Sequence, residues 1–428
     1  MTLVASLYIA ALAAVNLRLG RSLFYPPALY SAWWAVLLFV VWLSGDTFHP
    51  LSLKTLSVYV LGAMAFTIGG ALRLVAWRSP AEPYVVSDSQ QRAVNYFLFL
   101  SVIVLLAAFP LYWQRLNELQ AASSYHDFWR GVRQQTSSGH VDEPGFGWYE
   151  YLLGFASFMS MIAVYHVDGS RRSRLRAFAI IAITLTYQFL TAARLGAMTT
   201  LFAIVAISRM RAERVNWRTW CASGLLLLVV FSVPAVLLQK GGDLSKSFDE
   251  NAVGVLRSLQ LYSVGGLVGF NQVIDDLSVF PEWLSFRFFF ALARAVGFEV
   301  DVPLVVLPFT GTPALTNVYT IYGSYFADFG WAGTVLIMCA HGYWLTMLFQ
   351  IAVRRRPEAV VLFGIAASRM LMSSATDGFL VSLSFWLQAV ACTLVVYHWP
   401  LLTRAKSRST GLIAPEMTGG LEYRGGPA

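Results

Sequence analysis

The sequence predicts an all-α, polytopic integral membrane protein with about eleven transmembrane helices, in a range of about 10 to 12. Three observations predict it. Hydrophobic residues make up 57% of the 428 residues and charged residues only 13%, with a mean hydropathy of +0.59, where a soluble chain carries about a quarter charged residues. Apolar windows of about 16 to 22 residues recur, each long enough to cross a hydrocarbon core of about 30 Å at about 1.5 Å per helical residue. The basic residues fall in short clusters between those windows, the pattern of cytoplasmic loops and not of a nucleic-acid-binding surface.

The windows begin near Thr2, Pro27, Leu56, Ala93 and Trp148, then near Ala177, Leu195, Thr219, Ala327, Ala359 and Phe379. The first, MTLVASLYIAALAAVNL, lacks a basic region before its apolar stretch, so it reads as a retained span and not as a signal peptide. Arg18 and Arg21, Arg78 and Arg92, SRRSRLR, SRMRAERVNWR, Arg354 to Arg356 and TRAKSR alternate as cytoplasmic ends, which puts the amino terminus outside and the carboxyl terminus inside. Residues 1–400 then form a single membrane domain. Residues 114–147 and 239–326 are long outer loops, and 407–428 is a Gly-, Thr- and Pro-rich disordered cytoplasmic tail. In the second loop, PEWLSFRFFFALARAVG opens with Pro281 and Glu282 and closes at Gly297, an amphipathic helix with Arg287 and Arg294 on one face. It suits either the outer membrane interface or packing on neighbouring spans. Cys221, Cys339 and Cys392 lie in apolar spans without CxxC spacing and read as core residues.

The stretch TAARLGAMTT (191–200) sits inside an apolar run from Ala177 to Ser208. As one helix that run is about 48 Å long, too long for an ordinary span. Both flanks are basic, so the chain must reverse between them, and TAARLG is the polar, glycine-containing place to do it. Arg194 is thereby expected at the outward tip of a hairpin whose short arms leave it recessed. An arginine at membrane depth costs about 2.5–3.5 kcal/mol and usually marks a functional path; snorkelling to headgroups or pairing with a carboxylate is the structural alternative. Arg369 repeats the situation, with Asp377 two turns on as its structural alternative partner. Joined by Arg257, Arg287 and Arg294, these side chains make a polybasic outer site suited to a diphosphate.

The segment YSVGGLVGFNQVI (262–274), followed by TNVYTIYGSYFADFGWAG (316–333), resembles the closing half of the Wzy-type O-antigen polymerases, which join oligosaccharide repeat units. The RLGA turn is similar to the family's arginine-glycine turn, with Ala193 in place of a serine and Leu195 between Arg194 and Gly196. The matching positions are Arg194, Tyr262, Gly265, Gly266, Asn317, Tyr319, Asp328 and Gly330. The resemblance implies a GT-C-like glycosyltransferase of the bacterial inner membrane with its active site facing the periplasm. It would move a growing glycan from undecaprenyl diphosphate to the next lipid-linked unit, beside a chain-length regulator and a flippase.

Such a transfer needs charge stabilisation at the leaving diphosphate and a base for the acceptor hydroxyl. The arginines supply the first without a metal or other cofactor. For the base, Asp328 leads Asp377, Glu150, His126 and His140; His166 and His398 fall at cytoplasmic ends, and His341 reads as a core residue. Asn317, Tyr319 and Tyr262 are expected to bind substrate, and Tyr322, Tyr325 and Trp331 are placed to stack on sugar rings or to sit in an interfacial aromatic belt. Asp275-Asp276 and Glu299-Val300-Asp301 read as loop polarity and not as a metal site. Ser-His-Asp, Walker-type and HExxH patterns are lacking, which leaves hydrolase, ATPase and metalloprotease readings without support. An O-antigen ligase and a transporter or flippase of lipid-linked or anionic solutes are the competing readings.

Overall fold

The computed structural model describes residues 1–76, 84–137, 146–191, 194–211, 224–226, 228–233, 236, 247–304, 306–312 and 315–410. It is all-α apart from a hairpin of two short strands, β1 (Thr310–Gly311) and β2 (Leu315–Thr316), paired antiparallel with Thr310 opposite Thr316. The helices are α1 (Thr2–Gly20), α2 (Pro26–Leu43), α3 (Leu53–Ala76), α4 (Asp88–Ala121), α5 (Phe128–Ser137), α6 (Tyr149–Tyr165), α7 (Arg171–Leu190) and α8 (Arg194–Arg211). After the short apolar helical segment Gly224–Val233 come α9 (Phe248–Val273), α10 (Arg287–Ala295), α11 (Ile321–Val353), α12 (Pro357–Leu371) and α13 (Leu383–Thr410). Among the described residues, six helices (α1, α2, α3, α4, α9 and α11) are long and apolar enough to cross a membrane.

The basic clusters converge on one end of the bundle. Arg73 Nε donates to Gln350 Oε1 at 2.9 Å, the Tyr84 N–H to the Arg354 carbonyl at 2.7 Å, and the Tyr165 hydroxyl to the Arg355 carbonyl at 2.7 Å. Arg176 reaches Asn95, and His166 bridges Gln91 and Tyr397. Helix ends far apart in sequence are thus tied into one arginine-rich face, here called the basic end. The opposite, loop end carries the α7–α8 turn and the long connections.

The reversal expected at TAARLG is present: α7 ends at Leu190, Thr191 caps it, and α8 starts at Arg194. Gln188 clamps the hairpin, its Nε2 donating to Ser157 of α6 at 2.8 Å and to Thr200 of α8 at 2.9 Å. The arms are longer than expected, 20 and 18 residues, so Arg194 is recessed because neighbouring elements cover it, not because the arms fall short.

Helix extends into three segments expected as outer loop or tail. Within 114–147, α4 stays helical to Ala121 and α5 occupies part of the connection between α4 and α6. Within 239–326, a long helix accompanies the expected amphipathic one. Helix α9 opens with a reciprocal capping box between Ser247 and Glu250 and runs 26 residues. Contacts at both ends of its second half fall at the ends of α2 and α3: Gln260 donates to Ser44, Leu267 accepts from Tyr59, and Asn271 accepts from Ser52 and Thr55. From Ser258 to Val273 is about 22 Å of helix, so α9 lies across the loop end instead of along the bundle. The tail changes too, since α13 is helical to Thr410, and residues 411–428 lie outside the described residues.

Helix α11 is two segments joined at Gly330, whose φ of 61° and ψ of −158° no L-residue adopts readily. The rings of Tyr325 and His341 stack with centroids 5.6 Å apart, whereas an unbroken helix would separate them by about 24 Å. Residues 321–329 therefore climb from the middle of the bundle to the loop end, and 331–353 descend to the basic end. The conspicuous TNVYTIYGSYFADFG stretch is thus a re-entrant segment. Irregular backbone at that depth persists only inside protein, and Tyr319 and the run from Ile321 to Phe326 are all buried. The Tyr30 hydroxyl donates to Tyr322 at 2.9 Å, and the Tyr325 hydroxyl donates to Asp377 at 3.0 Å. Glycines let the backbones approach: a Cβ on Gly69 would collide with the Cys339 carbonyl, and one on Gly342 with that of Phe66.

Replacing Gly330 with Ala is expected to destabilise the protein by about 1–3 kcal/mol. Thermal unfolding of the detergent-solubilised protein would show it as a lowered midpoint. Gly311→Ala, at a site with nothing within 4 Å of the new Cβ, should leave the midpoint unchanged. Equal midpoints for both variants would contradict the re-entrant turn.

Candidate functional site: a two-arginine cavity at the loop end

Arg194 is the first residue of α8, so its cation sits at the positive end of a helix dipole, where a cation is disfavoured by about 0.3–1 kcal/mol. Its side chain is 3% exposed. The guanidinium carbon lies 5.2 Å from the ring centre of Phe231 and 5.0 Å from that of Tyr262, and Nη1 donates to Ser258 Oγ at 3.4 Å. Two aromatic faces and a hydroxyl are among the groups that hold the planar guanidinium.

Arg369 arrives from a different element, the last turn of α12, and its guanidinium rests 4.3 Å from the ring centre of Phe385. A Cβ on Gly378 would come within 2.5 Å of Arg369 Cδ, so that glycine makes room for the side chain. Among the described residues Arg369 forms no ion pair, and its buried Nε has no hydrogen-bond partner. The charge of Asp377 acts on it without a contact in ion-pair range. Asp377, in the link between α12 and α13, accepts instead from the Tyr325 hydroxyl at 3.0 Å and from the N–H groups of Phe379 and Val381 at 2.8 and 3.2 Å. Burial pushes its carboxyl up to about 6 against the pull of those donors.

Both arginines line one cavity of about 390 Å³, together with Tyr262 of α9 and Arg133 of α5. Its wall adds Gln188 and the hydroxyls of Ser157, Thr199 and Thr200, and Glu150 is the one carboxylate lining it among the described residues. Glu150 stands in the first turn of α6, its carboxylate without a hydrogen bond or ion pair among the described residues, and the charge of Arg287 acts on it from α10. A second cavity of about 200 Å³ abuts the first and shares Leu195 and Tyr262 with it. Trp33, Met198, Phe202, Leu228 and Leu259 make that second cavity apolar.

Other expected site residues go elsewhere. Asp328 Oδ2 accepts from the Ser285 N–H at 2.7 Å, pinning the connection before α10 to the re-entrant segment, and it does not line the cavity. Arg257 and Arg294 are exposed and away from it, while Arg287 donates Nε to the Pro303 carbonyl at 3.0 Å. Tyr319 is buried and donates to the Pro308 carbonyl at 2.9 Å, and Asn317 is half-buried outside the cavity. Gly266 lets α9 cross the Ser374 carbonyl, where a Cβ would collide. His126 is exposed and apart, His341 stacks between Tyr325 and Phe379, and His140 and Cys221 lie outside the described residues. Asp275 pairs with Lys54 at 2.8 Å and Asp276 accepts from the Ser278 N–H. No group of three His, Cys, Asp or Glu side chains among the described residues is placed to hold a metal ion.

Sequence reasoning missed Arg133 and ranked Glu150 behind Asp328. The signal for Arg133 was weak, an arginine within FWRGVRQQTS whose helix is amphipathic. Helix α10, by contrast, leaves its apolar face open: Phe289, Leu292 and Val296 are all exposed. Of the two placements open to it, contact with the outer interface suits that face.

A buried arginine kept for structure should cost stability when replaced, whereas one kept for a ligand should not. Arg369→Met is therefore expected to fold with an unchanged or higher unfolding midpoint in detergent while losing function; a fall of several degrees would mark Arg369 as structural. No protein-family model, curated protein or solved structure matches this chain.

Proposed function

We propose that the protein is a membrane glycosyltransferase that polymerises lipid-linked oligosaccharide repeat units for O-antigen or exopolysaccharide synthesis. The observation that carries this reading is the meeting of Arg194 and Arg369, from separate elements, in one cavity that abuts an apolar one. A ligand with an anionic head and a hydrocarbon tail fits that pair, and a lipid diphosphate sugar is such a ligand. The resemblance of 262–274 and 316–333 to the Wzy-type polymerases supports the same substrate class. With the basic end in the cytoplasm by the positive-inside rule, the cavity faces the periplasm of a bacterial inner membrane.

In this reading Arg194 and Arg369 hold the donor diphosphate of undecaprenyl-diphosphate-linked glycan, with Arg133 and Tyr262 beside them. The bond between the anomeric carbon and the diphosphate oxygen breaks, and its electron pair leaves with the diphosphate, whose charge the guanidiniums stabilise. The sugar hydroxyl of the incoming lipid-linked unit attacks that carbon and gives its proton to Glu150. Ser157, Gln188, Thr199 and Thr200 offer hydrogen bonds to sugar hydroxyls. Asp328 takes a positioning role through Ser285, and the arginines bind the leaving group without a metal or other cofactor.

In a strain lacking the chromosomal copy, Arg194→Ala is expected to insert normally but leave lipid A core capped with single repeat units. Glu150→Gln should slow chain growth by about 10²- to 10⁴-fold, the range of general-base contributions, without loss of lipid-diphosphate binding. Wild-type chain lengths in Arg194→Ala would overturn the reading. Uncapped core with polymer left on its lipid carrier in the deletion strain would indicate a ligase, and repeat units retained in the cytoplasmic leaflet would indicate a flippase.

A further inference from the structure

A third cavity, of about 530 Å³, lies toward the basic end between the end of α1, the α1–α2 link, α2, α8 and α12. Its charged residues are Arg21 and Arg209, and no carboxylate lines it. Arg209 is in the last turn of α8 and Phe202 is in its middle, so along α8 the cavity wall runs about 10 Å from the arginines toward the bundle centre. The wall continues over Leu29 and Leu371, and the exposed Leu17 and Leu23 flank its open side. This is a groove greasy along its length and cationic at its mouth.

Arg21 is held in place by its backbone. It caps α1 in the left-handed region, with φ 50° and ψ 24°, and its N–H donates to the Leu17 carbonyl at 2.8 Å. Glycine is the ordinary occupant of that position. The preceding Gly20 packs under Tyr25, where a Cβ would collide with the ring. Among the described residues the Arg21 side chain forms no hydrogen bond and no ion pair. An arginine kept where glycine is preferred, at the mouth of an apolar groove, calls for an anion with a hydrocarbon tail.

We propose that this groove binds an anionic glycerophospholipid from the leaflet at the basic end. Its phosphate sits between Arg21 and Arg209, and one acyl chain lies against Leu29, Phe202 and Leu371. Planar guanidinium groups suit the phosphate oxygens, and membrane-facing arginines attract acidic lipid. The groove shares no residue with the two-arginine cavity and meets the apolar cavity only at Phe202, and lipid binding there does not depend on the reaction proposed at the loop end.

The test uses full-length protein delipidated in a neutral detergent and measures bound lipid by native mass spectrometry, with phosphatidylglycerol, phosphatidylcholine, inorganic phosphate and undecaprenyl diphosphate as probes. Phosphatidylglycerol should bind the wild type, Arg194→Ala and Arg369→Met alike, and should bind Arg21→Gly/Arg209→Gln about tenfold or more weakly. Arg21→Gly preserves the left-handed cap, so its unfolding midpoint without lipid should equal or exceed that of the wild type, which separates lost binding from lost folding. Phosphatidylcholine and inorganic phosphate should bind at least tenfold more weakly than phosphatidylglycerol. Undiminished phosphatidylglycerol binding in the double variant, or equal binding of phosphatidylcholine, would overturn the proposal. So would displacement of phosphatidylglycerol by undecaprenyl diphosphate in Arg194→Ala, which would make the groove part of the other site.

Discussion

An arginine inside an apolar helical bundle has lost most of its water, and the desolvated charge must be met by something. Here two such charges meet in one cavity. Arg194 lies against Phe231 and Tyr262, and Arg369 lies against Phe385 with no carboxylate in ion-pair range among the described residues. Ring faces soften the cost by about 0.5–2 kcal/mol each, which does not balance the desolvation of a guanidinium. Gly378 leaves space for one of these side chains, and the other stands against its own helix dipole. We read that arrangement as a site for an anionic ligand.

The remainder of the fold positions this pair. Gln188 clamps the hairpin that presents Arg194, and Gly364 lets α12 pack on Ala203 of α8 so that Arg369 reaches the same space. Helix α9 lies across the loop end and brings Ser258 and Tyr262 over Arg194. The re-entrant segment supports α9 through the Val318 carbonyl beside Gly269 and the ring of Phe326 on Phe270, and Gly266 lets α9 cross the Ser374 carbonyl. Tyr325 then links that segment to Asp377, and Asp377 orders the link carrying Gly378. The residues of the conspicuous TNVYTIYGSYFADFG stretch act mainly on this scaffold, one layer away from the cavity.

Much of this was legible in the sequence where charge forced the outcome. Basic clusters on both flanks of Ala177 to Ser208 require a reversal, and the turn falls at TAARLG. The re-entrant turn was hidden because the sequence sets a boundary near Ala327, with 321–326 in the outer loop and a single span after it; nothing in the letter Gly330 announces a φ of 61°. Helix α9 was hidden as well. Its acidic and polar first turns read as loop, and only contacts with Ser44, Ser52 and Tyr59 fix its direction. Asp328 ranked above Glu150 because it sits in the more conspicuous motif, whereas in the structure it accepts from the Ser285 N–H and Glu150 is the one that lines the cavity. Which carboxylate faces an arginine across a cavity depends on tertiary packing, which local spacing does not encode.

Binding of undecaprenyl diphosphate and of uncharged undecaprenol to the purified protein, compared with Arg194→Ala/Arg369→Met, tests the central claim most directly. The account predicts that the wild type binds the diphosphate far more tightly than the alcohol. The double variant should keep its fold and lose that preference, binding both lipids with the weak affinity of the alcohol. A double variant that still prefers the diphosphate as strongly as the wild type would contradict the account, because the two buried charges would then serve something other than the anion.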